Sequence, residues 1–253
     1  MPPIATARRH FQEDITRAKG LLNHAQSITD GKLAADVLRA SWMMSVGACD
    51  AFFCDVYGDL IARVLRARDI EPAVALPNRL QNLKIPVVAV IRQSQGGWRW
   101  RMAARELIEE ESVLSLEKIR SLFNQFCQDC NKLINKDSIE KWLIHKDSSE
   151  RLFGIKSDEY QQLSDSRKAD AKQEAIKILE ERFKYIFQRR HDCIHNCDRP
   201  KVSPQKITAQ MVEAAIIDIE FLVQRCSEML RDEFIKYLSR IGFSGITINR
   251  VCM

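Results

Sequence analysis

The chain is 253 residues long, carries 39 Lys and Arg against 34 Asp and Glu for a formal charge of +5, and is 45% apolar. With only 9 Gly and 7 Pro, this composition disfavours both a disordered chain and a turn-rich all-β fold. The longest apolar run, residues 85–91, contains Pro86 and falls well short of the roughly 18 residues that span a bilayer.

Residues 4–28 have the pattern of a helix, closed by a turn at Gly31 and Lys32. From Leu38 the apolar residues Trp42, Val46, Cys49, Phe53, Val56, Leu60 and Val64 recur in steps of four and three, which predicts a long core helix paired with the first as an antiparallel hairpin. Between residues 69 and 97, three prolines and the Gly96-Gly97 pair allow only short regular structure, and residues 87–91 read equally as a strand or a buried helical turn. Residues 98–111 and 115–133 read as helices, the second capped by Ser115. A polar, broken stretch follows over 135–166, with helical pieces near 139–144 and 158–163. Two strong helices, over 167–195 and 208–241, end the pattern. The expected architecture is an all-α bundle, one domain over residues 1–253, with 69–97 and 135–166 as irregular insertions.

The most informative segment is Gln188-Arg189-Arg190-His191-Asp192-Cys193-Ile194-His195-Asn196-Cys197-Asp198-Arg199-Pro200. Projected at about 100° per residue from Ile176, the stripe through Leu179, Phe183, Phe187 and Ile194 also takes in Arg190 and turns Arg189 to the solvent side. A guanidinium on an apolar stripe requires an anion or a wet cleft. His191 and His195 lie one turn apart on the flank beside it. Pro200 stops the helix, Asn196 suits a left-handed terminating position, and His195 falls in the last turn, where the macrodipole favours a cation. Six Lys or Arg against two Asp between residues 182 and 201 point to an anionic ligand.

Arg190-His191-Asp192-Cys193-Ile194-His195 resembles the Arg, polar residue, three others, His signature of HEPN-domain ribonucleases, and its surroundings are most similar to the bacterial RiboL-PSP and MAE-type branch. The likeness extends to Gly47-Ala48-Cys49-Asp50-Ala51-Phe52-Phe53 in the long helix and to the closing helix. The resemblance implies an HEPN-like helical bundle acting as a metal-independent endoribonuclease with no cofactor. In RNA the 2′-hydroxyl attacks the adjacent phosphate, giving a 2′,3′-cyclic phosphate. His195 would act as general base or acid, Arg190 would neutralise charge on the phosphoryl oxygens, and His191 would orient the phosphate or support Arg190. Asp50, Asp192 and Asn196 are supporting candidates. Family behaviour further implies a homodimer that brings two motifs together, a toxin or antiviral defence role, and an antitoxin or nucleotidyltransferase as candidate partner. The other reading of the same resemblance is a catalytically inactive HEPN module for RNA binding or dimerisation.

Other features carry alternatives. Arg190 and His195 also suit a buried ion pair with a helix-capping histidine. Arg189 and Arg199, with Trp98, Arg99, Trp100 and Arg101, form basic and aromatic clusters suited to single-stranded RNA, unless Glu106 and Glu109 to Glu111 neutralise the second of them. Cys127, Cys130, Cys193 and Cys197 could hold zinc only with an unusual spacing, so free buried thiols are expected. The N-terminus, with Arg8, Arg9 and His10, lacks the apolar core of a signal peptide, so a cytoplasmic protein free of membranes is expected.

Overall fold

The computed structural model describes residues 2–84, 100–102, 104, 108, 113–199 and 202–253. The regular structure among these residues is helical, with no strand. Helix α1 (Ala5–Ser27) and the 40-residue α2 (Gly31–Ile70) form the expected antiparallel hairpin. Phe11 meets Phe52 edge-on at 5.8 Å, and Ser41 Oγ donates to the Ala18 carbonyl at 2.7 Å. The hairpin turn sits earlier than its sequence suggests. Asp30 caps α2 by accepting the Lys32 N–H at 2.8 Å, so Gly31 and Lys32 are already helical.

α3 (Asn78–Gln81) is a single turn. Residues 100–102, 104 and 108 are helical, in line with the reading of 98–111, whereas 87–91 lie outside the described residues. The helix expected over 115–133 is shorter: α4 (Leu116–Phe123), capped by Ser115 as anticipated, gives way to 3₁₀ turns at Asn124–Phe126 and Asp129–Asn131. Distant partners capture its backbone. Asn124 Oδ1 accepts the Leu133 N–H at 2.7 Å, and the Glu233 carboxylate accepts Gln128 N–H at 3.2 Å.

The stretch 135–166 holds more helix than its polarity suggests, in α5 (Lys136–Leu143), α6 (Lys146–Phe153) and α7 (Ser157–Gln161). A reciprocal Asn135–Ser138 capping box starts α5, while Trp142, Leu152 and Tyr160 bury themselves in the core. α8 (Asp165–Asn196) and α9 (Ala209–Ile241) match the two long helices expected near the C-terminus. A short α10 (Gly245–Cys252), not foreseen, follows the left-handed Gly242 at φ 107°.

α2 is the central element, with α1, α8, α9 and α10 all packed against it. Trp42, 1% exposed, binds α8 by donating from Nε1 to the Ile186 carbonyl at 3.1 Å. The buried apolar side chains of these helices form one connected cluster. No helix among the described residues is long and apolar enough to cross a membrane.

Candidate active site

The buried stripe of α8 runs through Ala175, Leu179, Phe183, Ile186, Phe187, Arg189 and Cys193. Two assignments from the helical projection are therefore corrected: Arg189 is buried, and Ile194 is 47% exposed. Arg189 cannot serve as an exposed RNA-binding residue. Its guanidinium donates to Asp198 Oδ2 at 3.1 Å, to the Lys206 carbonyl at 3.0 Å and to Tyr185 Oη at 3.0 Å, and lies 5.3 Å from the Trp42 ring centroid. Arg39 reaches the same Asp198 oxygen from α2 at 2.8 Å.

Asp198 returns to α8 because the chain reverses through two left-handed residues, Cys197 at φ 49° and Asp198 at φ 58°. Asn196 is the last helical residue, and the left-handed terminating position falls one residue later than expected. The Asp192 carbonyl accepts the N–H groups of both Cys197 and Asp198, which closes the helix end. Its carboxylate accepts Gln188 Nε2 at 2.9 Å and Gln205 Nε2 at 3.3 Å. Asp192 is thus a buried fastening of the helix end, not a group facing the cleft.

Arg190 is half-buried, at the edge of the stripe, and points into a cleft of about 780 Å³ between α8 and residues 114–120. The same cleft is lined by His191 and His195, whose rings approach to 4.4 Å between centroids at an interplanar angle of 42°. Sequence spacing had placed these three side chains together, and the fold does so. Leu114, Leu116 and Phe187 supply apolar walls, and Arg120 pairs with Glu180 at 2.9 Å within the cleft lining. Lys184, Gln188, Arg120, Glu117 and Glu180 were not singled out as cleft residues from the sequence. Their signal was available for α8, where Lys184, Gln188, His191 and His195 recur at helical spacing.

Asp50, on α2, lies beside this region. Its Oδ1 accepts the Val113 N–H at 2.8 Å, which fixes the chain entering α4. Burial pushes its carboxyl above the ordinary aspartate value, while the Val113 N–H and the positive charge of Arg190 pull the other way. Asp50 and Arg190 therefore sense each other electrostatically, although no ion pair between them falls within 4 Å among the described residues. Arg190, His191 and His195 make no side-chain hydrogen bond or salt bridge to any described residue, leaving their donors and acceptors for a ligand.

Arg199 is exposed just past the helix end, and Asn196 is exposed with its carbonyl accepting the Arg199 N–H at 2.9 Å. In the second basic and aromatic cluster, Trp98 and Arg99 lie outside the described residues. Trp100 is half-buried and donates from Nε1 to Asp69 Oδ2 at 2.7 Å, and Arg101 is half-buried as well. Neither side chain lines the cleft. Among the described residues no group of three or more His, Cys, Asp or Glu converges as a metal site. Of the four cysteines weighed for zinc, burial pushes the Cys127 thiol up to about 12 and the Cys193 thiol up to about 11, while Cys130 and Cys197 are exposed.

No family model, no curated protein and no solved structure matches the chain.

Proposed function

We propose that the protein is an HEPN-type endoribonuclease that cleaves RNA without a metal ion, working from the cleft between α8 and α4. The observation that carries this reading is the convergence of Arg190, His191 and His195 in one cleft, with no side-chain hydrogen bond or ion pair to a described residue to occupy them. An imidazole can take the proton from a ribose 2′-hydroxyl as the 2′-oxygen attacks phosphorus. The bond to the 5′-oxygen then breaks, and a second proton carrier protonates the departing 5′-hydroxyl. His195 fills one of these roles. His191, whose ring lies tilted beside it, or His195 of a second copy fills the other. Arg190 offers a planar fork of donors to the phosphoryl oxygens as their charge grows. A role as a toxin or antiviral effector, and restraint by an antitoxin or nucleotidyltransferase, rest on the motif resemblance and extend this proposal.

A second reading, an inactive HEPN module that binds RNA or dimerises, draws on the same cleft, whose Arg190 and Lys184 can hold a phosphate without any proton transfer to it. Incubation of the protein with single-stranded RNA in excess chelator separates the two. Catalysis requires cleavage that Arg190→Ala and His195→Ala each abolish while the protein stays folded. RNA bound but left whole supports the module instead.

A further inference from the structure

The cleft is longer than a single phosphate needs. Lys184 and His195, both in its lining, are eleven residues apart on α8, about 16 Å along the helix axis at 1.5 Å per residue. Charge is distributed unevenly along that length. From Lys184 onward the α8 side of the lining offers Lys184, Arg190 and the two imidazoles. One turn before Lys184, Glu180 and Arg120 neutralise each other. Lys184 is exposed and has no ion pair or hydrogen bond among the described residues, so its ammonium, on a side chain that lines the cleft, is available to a ligand there. Gln188 stands one turn further on, with its amide already given to Asp192.

We infer that Lys184 forms a second phosphate subsite, which takes a phosphate next to the scissile one and commits the cleft to a short single-stranded segment of RNA. The inference rests on the ribonuclease reading for the identity of the first subsite, but not for its own test. Arg190 and Lys184 are about 9 Å apart along the helix axis, a distance that neighbouring phosphates of an extended strand bridge with a flexible lysine. A cleft of about 780 Å³ has the volume of a small-ligand site, which suits a short single-stranded segment. The neutral Arg120–Glu180 pair gives the far end no attraction for a further phosphate.

Binding is measured by fluorescence anisotropy with a labelled single-stranded oligonucleotide carrying 2′-O-methyl riboses, which cannot be cut. Lys184→Ala is expected to weaken binding about fivefold and to lower the slope of log affinity against log salt by about 0.7, the share of one single-strand phosphate. The same substitution leaves binding of a dinucleotide, which has one phosphate, unchanged, and a blunt duplex competes poorly in both proteins. Equal affinity and equal salt slope for Lys184→Ala and the unsubstituted protein overturn the subsite even if RNA is cleaved. Loss of binding with Lys184→Ala in a protein that cuts no RNA upholds the subsite and removes the nuclease chemistry.

Discussion

The Arg189 guanidinium donates to the Asp198 carboxylate at 3.1 Å, and neither residue is more than 2% exposed. Arg190, next in the chain, has no such partner among the described residues and lines the cleft. Adjacent arginines thus hold opposite roles: one fastens the end of α8, the other is presented at its surface.

That division has a direct consequence. Arg189→Ala should destabilise the fold by about 3–5 kcal/mol, because it strips a buried carboxylate of one cation and leaves a void beside Trp42. Arg190→Ala should change stability by less than about 0.5 kcal/mol and affect only what the cleft binds or cuts. Urea unfolding of the two variants checks the contrast, and equal losses of stability would count against it.

Asp198 receives both Arg39 and Arg189, while its Oδ1 and the Arg189 Nε lack any hydrogen-bond partner. Asp198→Ala leaves two partly or wholly buried guanidinium groups without their shared anion, so a loss of about 3–5 kcal/mol is expected. A double variant that also replaces Arg189 by Met should recover part of it, since the uncompensated charge goes too. No recovery in the double variant would locate the cost in the left-handed turn instead.

Asp50→Asn keeps an acceptor for the Val113 N–H but removes the charge beside Arg190, whereas Asp50→Ala removes both. The alanine variant should lose about 1–2 kcal/mol of stability as residues 113–115 loosen, and the asparagine variant less. Amide hydrogen exchange at Val113 and Leu116 reads the difference. Equal protection in all three proteins would show that Asp50 does not anchor α4.

Acid should loosen the start of α10. Hydrogen bonds from Ser244 and Thr247 to the Glu71 carboxylate hold its pKa below the ordinary 4.5. A depressed folded-state value means the stabilisation is complete above the unfolded-state pKa and fades as pH falls through the folded one. Amide exchange across residues 244–252 should therefore accelerate in that acid window, and Glu71→Gln should flatten the response. An acceleration unaffected by Glu71→Gln would place the acid sensitivity elsewhere.

Much of this arrangement was legible in the chain, and the exceptions share a cause. The hairpin, α8 and α9 follow from apolar periodicity over many turns, which the packing around α2 obeys. The four-residue step between His191 and His195 alone puts them on one flank. Arg189 rather than Arg190 takes the buried position because Ile176 is only half-buried and Ile194 is exposed, so the true stripe is rotated from the line through them, and one residue on a helix is about 100°. What holds Arg189 inside is an aspartate nine residues later, returned by two left-handed non-glycine residues. Side-chain period carries no trace of that contact. Likewise α4 ends early because Glu233, about a hundred residues away, takes the backbone of Gln128.

The most direct test of ribonuclease chemistry at this cleft is end-group analysis of RNA incubated with the protein in excess chelator. Attack by the 2′-hydroxyl, with His195 moving a proton, predicts 2′,3′-cyclic phosphate and 5′-hydroxyl ends from the unsubstituted protein and no new ends from a folded His195→Ala variant. Fragments bearing 3′-hydroxyl and 5′-phosphate ends, or undiminished cleavage by His195→Ala, would contradict it.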